Sequence, residues 1–104
     1  MQVITAEQAS HLINSETTLS TGGFGSCGHP EALTAALAKR FLETGQPQNL
    51  TLIFAAGQGD KGERGLNRLA IPGLIKRVIG GYWALTPMLG TLAVSGKIEA
   101  HNWP

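Results

Sequence analysis

Leu50-Thr-Leu-Ile-Phe-Ala55 is a continuous apolar run with turn-forming residues on both sides. A short run of this kind is typical of a strand that is buried on both faces of a parallel sheet. Segments with the helical spacing of apolar residues lie before and after it, and further strand-like segments lie beyond those. This alternation predicts an α/β fold with a mainly parallel sheet flanked by helices.

The other predicted elements extend outward from this strand. Thr5 and Gln8 form a capping-box pattern at the start of a short helix over 5–13. Pro30 fits the first turn of a second helix, which Gly45 and Pro47 end. The remaining predicted elements are strands over 17–21, 76–79 and 97–100, an exposed loop over 57–68, a helical turn over 71–75 and a helix over 86–96.

Composition limits the partners and the location of the protein. A chain of 104 residues has room for one core, and a formal net charge of +1 gives no field that would attract nucleic acid or a membrane. Charged residues make up only 14%, which suggests that a partner covers part of the surface. The single Cys27 forms no internal disulfide, and we find no signal peptide and no apolar run of roughly 20 residues. We therefore expect a cytoplasmic protein.

A glycine-rich segment joins the strand over 17–21 to the helix at Pro30. It is Gly22-Gly-Phe-Gly-Ser-Cys-Gly-His29, which we call the glycine loop, and four of its first seven residues are glycine. A connection between a strand and a helix runs about 2 to 6 residues and often needs a single glycine. We therefore predict a functional loop whose backbone N–H groups, together with the helix N-terminus, bind an anion or a developing oxyanion.

Two other interpretations of the glycine loop stay open. Gly23, Gly25 and Gly28 match the G-x-G-x-x-G dinucleotide fingerprint, although no acidic residue closes the second strand to hold a ribose. Cys27 and His29 suggest a thiol nucleophile with its base, but no third group is visible that would orient the base. We expect His29 to shape the helix start or to line a pocket.

Other polar residues give weaker signals. His11 and His101 lack the spacing of metal ligands, so no metal site is predicted. Lys61, Arg64 and Arg68 fit either phosphate contacts or an ordinary solvated loop.

Several stretches, considered together, carry a family resemblance. They are Gly22-Gly-Phe-Gly-Ser-Cys-Gly-His-Pro-Glu31, Phe41-Leu-Glu-Thr-Gly45 with Leu50-Thr-Leu52, Ala55-Ala-Gly-Gln-Gly-Asp60 with Arg64-Gly-Leu-Asn67, and Val78-Ile-Gly-Gly81 with Ile98-Glu-Ala-His-Asn102. In order and spacing they resemble the family I coenzyme A transferases of the acetate, propionate and acetoacetate type. The resemblance covers nearly the whole chain and implies that residues 1–104 are the N-terminal portion of a transferase domain, with no second domain present.

The resemblance implies a ping-pong transfer of coenzyme A between an acyl-CoA and a short-chain carboxylate. Coenzyme A is then a substrate, and no cofactor is implied. The glutamate that forms the acyl anhydride and then the glutamyl-CoA thioester belongs to the second half of such enzymes. No catalytic residue is therefore expected here, and Glu31, Glu43 and Glu99 are not assigned as the nucleophile. Substrate and coenzyme A binding is implied for Gly22, Gly23, Phe24, Gly25, Ser26, Cys27, Gly28, His29 and Gln58.

Family members continue beyond the position of Asn102-Trp-Pro104 with a Gln-Gly pair, whose glutamine helps to stabilise the oxyanion. This sequence stops before that pair. We therefore expect residues 1–104 to be inactive alone and to need the remainder of the transferase polypeptide, in a homo-oligomer. The alternatives are a non-catalytic module that binds coenzyme A or a nucleotide, and an NAD(P)-binding domain of an oxidoreductase.

Overall fold

The computed structural model describes residues 1–103. These residues form a four-stranded sheet in the order β1-β2-β3-β4, in which all three pairings are parallel. The strands are β1 (Thr18–Ser20), β2 (Leu50–Phe54), β3 (Ile75–Gly80) and β4 (Glu99–Asn102). The helices are α1 (Ala6–Ser10), α2 (Glu31–Thr44) and α3 (Pro87–Val94), and a 3₁₀ helix lies at Leu66–Leu69. The predicted α/β class with a parallel sheet is confirmed.

One face of the sheet carries the hydrophobic core. In β2, Leu50, Leu52 and Phe54 point to this face and are at most 2% exposed. On the opposite face, Thr51 is 9% exposed but Ile53 is 36% exposed, so the prediction that β2 is buried on both faces holds at Thr51 and fails at Ile53. Consecutive parallel strands joined by right-handed connections place all their connecting segments on the same face. The sequential strand order therefore explains why the opposite face is less covered.

The core joins the sheet to the segments that cover it. Leu37 from α2, Leu66 and Leu69 from the 3₁₀ helix, Leu89 from α3 and Val78 from β3 are all at most 1% exposed. Full burial of one such aliphatic side chain stabilises a fold by about 1.5–3 kcal/mol. This shared core sets the position of the loops that leave the strands.

Local signals set the ends of the first two helices. The Thr5 hydroxyl accepts a hydrogen bond from the Gln8 N–H at 3.0 Å, and Gln8 Oε1 accepts one from the Thr5 N–H at 2.8 Å. The predicted capping box is confirmed, although α1 ends at Ser10. Helix α2 ends before Gly45, as predicted, and Pro30 lies directly before its first residue. Among residues 1–103, no helix is long and apolar enough to cross a membrane.

Three sequence-based boundaries differ from the structure. Of the predicted exposed loop, the fully exposed part is 60–64, whereas residues 57–59 are buried and a 3₁₀ helix follows. The predicted helical turn over 71–75 is a tight turn at Gly73, because Leu74 and Ile75 are drawn into the core at the start of β3. The last strand begins two residues later than predicted, because the Lys97 N–H donates to the Leu92 carbonyl and still belongs to the end of α3.

Candidate substrate-binding site

The glycine loop leaves the carboxyl end of β1 and turns back on itself before α2 begins. The Phe24 N–H donates to the Cys27 carbonyl and the Cys27 N–H donates to the Phe24 carbonyl, both at 2.9 Å. Gly25 lies in the turn between them with φ +60°, in the left-handed region that glycine adopts without strain. This turn explains why the loop contains more glycine than a simple connection needs.

The glycine loop is hydrogen-bonded to the segment that follows β2. The Gly25 N–H donates to the Gly57 carbonyl at 2.7 Å, and the Gly59 N–H donates to the Gly25 carbonyl at 3.0 Å. Because β1 and β2 are neighbouring parallel strands, both loops emerge at the same edge of the sheet. In parallel α/β folds, binding residues lie mainly on the loops that leave the carboxyl ends of the strands. The glycine loop therefore lies where folds of this class bind ligands.

A buried chain of hydrogen bonds adjoins this junction. Gln58 is 1% exposed, and its Nε2 donates to the Thr21 carbonyl at 3.0 Å. Its Oε1 lies 2.8 Å from Nδ1 of His29. The Nε2 of His29 lies 3.0 Å from the hydroxyl of the buried Thr34. Two residues predicted for the site, Gln58 and His29, are thus in direct contact, and their side chains bond to the protein itself.

The segment after β2 is held from its other side by Asn67. A side chain at Gly59 would collide with the Leu85 carbonyl and the Asn67 amide. Asn67 is 1% exposed, and its Nδ2 donates to the carbonyls of Arg64 at 2.9 Å and Leu85 at 3.1 Å. Its Oδ1 accepts the Met88 N–H at 3.3 Å. Sequence reasoning gave Asn67 no role of its own, because its partners come from other segments of the chain.

A cleft of about 150 Å³ opens beside the glycine loop. The residues that line it are Gly25, Ser26, His29, Glu31, Gly59, Arg64 and Gly65. The structure thus brings three predicted loop residues, Gly25, Ser26 and His29, to one cleft together with Arg64. Lys61, in the same exposed stretch as Arg64, does not line this cleft. Pockets for drug-sized ligands measure about 300–1,000 Å³. This cleft has room for one part of a larger ligand.

Glu31, in the first turn of α2, contributes a carboxylate to the cleft. Its Oε2 accepts a hydrogen bond from the Gly65 N–H at 3.0 Å, and its carboxylate forms an ion pair with Arg68. Burial raises the pKa of Glu31, but the hydrogen bonds from Arg68 and Gly65 and the neighbouring positive charge outweigh burial and hold the pKa below its usual value. The Glu31 charge is thus balanced by Arg68, and Arg64 adds a cation to the same cleft.

The other acidic residues considered in the sequence lie in pairs on other surfaces. Glu43 is 4.0 Å from Lys39 on α2. Glu99 in β4 contacts Arg77 at 3.0 Å and His101 at 2.8 Å. The hydrogen bonds from His101 and Arg77 lower the pKa of Glu99 below its usual value. Within residues 1–103, no three His, Cys, Asp or Glu side chains come together to hold a metal ion.

The geometry disfavours both other interpretations of the glycine loop. In the dinucleotide fingerprint, the third glycine lets the helix pack closely on the strand. Here Gly28 precedes α2, and a Cβ added to it would meet its nearest atom, the Gly23 Cα, only at 3.7 Å. Cys27 is exposed, and both ring nitrogens of His29 already face other partners, Gln58 and Thr34. Neither nitrogen is placed to act as a base for that thiol.

Comparison with known proteins decides the family. The profile of a family described as coenzyme A transferase matches residues 3–104. This chain belongs to the coenzyme A transferase family. It is 39% identical over 104 residues to the acetate CoA-transferase YdiF of Escherichia coli, a match that covers 98% of this chain and 19% of that protein. It is 34% identical over 101 residues to the caffeate CoA-transferase of Acetobacterium woodii, which covers 97% and 19% respectively.

A solved coenzyme A transferase has the same fold. The crystal structure of acyl-CoA transferase YdiF from Escherichia coli, a thioester complex with CoA, matches with a TM-score of 0.95 and 36% identity, over 97% of this chain and 21% of that one. The family resemblance carried by the glycine loop and the other stretches is thereby confirmed. The chain spans about a fifth of the length of the relatives that it matches.

Proposed function

We propose that residues 1–104 are the N-terminal part of a short-chain acyl-CoA:carboxylate CoA-transferase, in which the glycine loop forms one wall of the acyl-CoA site. One observation carries this proposal. Gly25 joins the glycine loop to the segment after β2 through both its N–H and its carbonyl, at the sheet edge where α/β folds bind ligands. Family membership supplies the chemistry that this position would serve.

The proposed reaction needs a carboxylate nucleophile and donors for developing oxyanions. A glutamate attacks the thioester carbonyl and expels the CoA thiolate, which leaves an acyl-glutamyl anhydride. The thiolate then attacks the glutamyl carbonyl, releases the first carboxylate and forms a glutamyl-CoA thioester. A second carboxylate reverses these steps and takes up the coenzyme A, so the transfer needs no resident cofactor. Preorganised backbone N–H groups stabilise the tetrahedral oxyanions of such acyl transfers.

The glycine loop is suited to the oxyanion and binding part of this work. Within residues 1–103, five backbone N–H groups of the glycine loop have no hydrogen-bond acceptor in the protein, those of Gly22, Gly23, Ser26, Gly28 and His29. Ser26 also lines the cleft. Backbone donors that no protein group accepts are available to a ligand carbonyl or an oxyanion.

The nucleophile is proposed to lie outside this chain. Glu31 is committed to Arg68 and to the Gly65 N–H, and its lowered pKa reflects a carboxylate that is stabilised in place. Glu43 and Glu99 each pair with a cation on another surface. A stabilised and paired carboxylate is a poor nucleophile.

We propose as partners an acyl-CoA, a short-chain carboxylate and the remainder of the transferase polypeptide, in a cytoplasmic homo-oligomer. The cleft of about 150 Å³ holds only part of an acyl-CoA, so other surfaces must complete the site. We therefore expect no CoA transfer by residues 1–104 alone.

A direct test measures transferase activity on material of known mass. The 104-residue chain and the longest polypeptide that contains it are each incubated with acetyl-CoA and a second short-chain carboxylate, followed by peptide mapping for a glutamyl-CoA adduct. We expect turnover only in the preparation of the longer polypeptide, and we expect the glutamyl-CoA adduct on a residue outside 1–104. Turnover by the isolated chain would overturn the assignment of the nucleophile. Binding of coenzyme A without turnover in either preparation would favour a non-catalytic binding module instead.

A further inference from the structure

We infer that Gln58 is a positioning residue, which acts through Thr21 and His29 to hold the glycine loop between the end of β1 and the start of α2. This role revises the expectation that Gln58 contacts the substrate. Its effect on turnover rests on the proposed function, whereas its effect on the loop does not.

Gln58 is buried between the two ends of the glycine loop. Its side chain is 1% exposed, so it is not available to a ligand in the cleft. A buried amide destabilises a fold unless its donors and its acceptor are paired. Nε2 is paired with the Thr21 carbonyl at 3.0 Å and Oε1 with Nδ1 of His29 at 2.8 Å. The amide therefore bridges the two ends of the glycine loop, since Thr21 directly precedes it and His29 ends it.

The two ring nitrogens of His29 extend the contact from Gln58 to α2. Because Gln58 Nε2 donates to a carbonyl, its Oε1 faces the ring and accepts a hydrogen bond from Nδ1–H. Nε2 of a neutral ring is then an acceptor, and the Thr34 hydroxyl lies 3.0 Å from it. Thr34 is 3% exposed and belongs to the first turns of α2. The bridge from β1 through Gln58 thus continues into the helix, and it fixes the ring that lines the cleft.

The backbone on either side of Gln58 is hydrogen-bonded to the glycine loop. Gly57 accepts from the Gly25 N–H at 2.7 Å, and Gly59 donates to the Gly25 carbonyl at 3.0 Å. Gln58 lies between these two contacts. A shift of the Gln58 backbone therefore displaces both bonds that hold the turn of the glycine loop, which places its N–H groups incorrectly for a reacting carbonyl.

Hydrogen–deuterium exchange of the longest polypeptide that contains this chain tests the local role. In Gln58→Met, which keeps the side-chain length and loses both hydrogen bonds, exchange of a peptide covering 22–29 should rise about tenfold, while a peptide covering β2 changes little. The matched control is Ser10→Ala, which removes another buried side-chain hydrogen bond, from the Ser10 hydroxyl to the Glu7 carbonyl in α1, an element with no hydrogen bond to the glycine loop. Equal exchange of the 22–29 peptide in both variants would mean that Gln58 only fills the core.

Substitutions of His29 supply a rescue test. The Nδ2 of an asparagine occupies nearly the same place as Nδ1 of histidine, so His29→Asn keeps the donor to Gln58, and His29→Leu removes it. We expect exchange over 22–29 to be close to wild type in His29→Asn and as fast as in Gln58→Met in His29→Leu. Similar exchange in the two His29 variants would overturn the role of the Gln58 contact.

Steady-state kinetics separate positioning from ligand contact. For Gln58→Met we expect kcat to fall at least about tenfold while KM for acyl-CoA changes less than about threefold, because a misplaced loop weakens transition-state contacts more than ground-state binding. Gln48→Met, at an exposed glutamine, is the matched control. A raised KM with unchanged exchange would make Gln58 a ligand contact and would refute positioning. If wild type has no transferase activity, the proposed function fails, and the exchange data still decide whether Gln58 holds the loop.

Discussion

The substitution Gly23→Ala tests how closely the glycine loop is packed. Gly23 has φ +133°, a value that residues with a side chain rarely adopt. A Cβ at this position would lie 2.8 Å from the His29 nitrogen, 3.0 Å from the His29 Cα and 3.1 Å from the Cys27 carbonyl oxygen. These are all backbone atoms, so the clash is relieved only if the loop itself moves.

The expected loss of stability follows from these two effects. A residue held in a sparsely populated backbone region costs about 1–3 kcal/mol. A methyl group forced into filled space costs about 1–3 kcal/mol more. We therefore expect Gly23→Ala to lower the free energy of unfolding by about 2–6 kcal/mol, out of about 5–15 kcal/mol for a typical domain. Since each kcal/mol shifts the Tm of a domain of about this size by roughly 4–8 °C, Tm should fall by about 10 °C or more.

Gly22→Ala is the matched control, one residue away. A Cβ added at Gly22 would have no atom within 4 Å, and the backbone of Gly22 is not in the positive-φ region. The expected change in the free energy of unfolding is therefore within about 0.5 kcal/mol. Urea unfolding can be followed by far-UV circular dichroism and by the fluorescence of Trp83, whose ring lies 6.2 Å from that of Phe54. Equal loss of stability in both variants, or none in Gly23→Ala, would refute the conclusion that His29 and Cys27 pack tightly against Gly23.

Three further changes test other parts of the fold. Glu31→Gln removes the ion pair with Arg68: because the folded-state pKa of Glu31 is lowered, the pair stabilises the fold above the unfolded pKa, and the effect is lost as pH falls through the folded pKa. Both side chains are more than a third exposed, so the free energies of unfolding of wild type and variant, measured with urea, should differ by less than about 1 kcal/mol at pH 7. The difference should vanish as pH falls below the lowered pKa of Glu31, and a difference that does not change with pH would contradict this. Arg40→Met removes the hydrogen bonds to the carbonyls of Ser10, which ends α1, and of Ile13, which follows it, at 2.7 and 2.8 Å. It should lower the free energy of unfolding by about 1–3 kcal/mol and speed amide exchange in α1 more than in β2. Leu52→Ala, at a fully buried position of β2, should lower the free energy of unfolding by about 2–5 kcal/mol in the same urea assay, and a loss below about 1 kcal/mol would place Leu52 outside the core.

Features encoded by neighbouring residues could be predicted from the sequence. The Thr5 and Gln8 capping box joins residues three apart, and Gly45 ends α2 through its own backbone conformation. The strand over 50–54 and the glycine loop between β1 and α2 also carry their signal locally, in apolar content and in glycine content. Each of these signals lies within one short stretch of consecutive residues, so propensity and pattern were sufficient.

The interior of the site could not be predicted in the same way. Glycines and charges around Gln58 indicated an exposed loop, yet its amide bonds to Thr21 and His29, which are 37 and 29 residues away in the chain. Asn67 likewise bonds to Leu85, 18 residues away. The two faces of β2 differ because strand order, and not the strand's own composition, decides where the helices pack. Burial at these positions is a property of tertiary contacts between distant segments.

The way in which the loop is held bears on what this chain contributes to catalysis. Gly25 bonds through its N–H and its carbonyl to the segment after β2, while a buried amide and an imidazole tie the two ends of the loop to the fold. Donors that are fixed before the substrate arrives stabilise a developing oxyanion without the cost of reorganisation. A rigid loop of this kind needs a nucleophile aimed at it from a second surface, and the carboxylates Glu31, Glu43 and Glu99 are each paired elsewhere. Under the function proposed above, this chain supplies backbone donors and the reactive carboxylate lies outside it. We therefore expect that loosening Gln58 impairs turnover, although its buried side chain bonds to the protein itself.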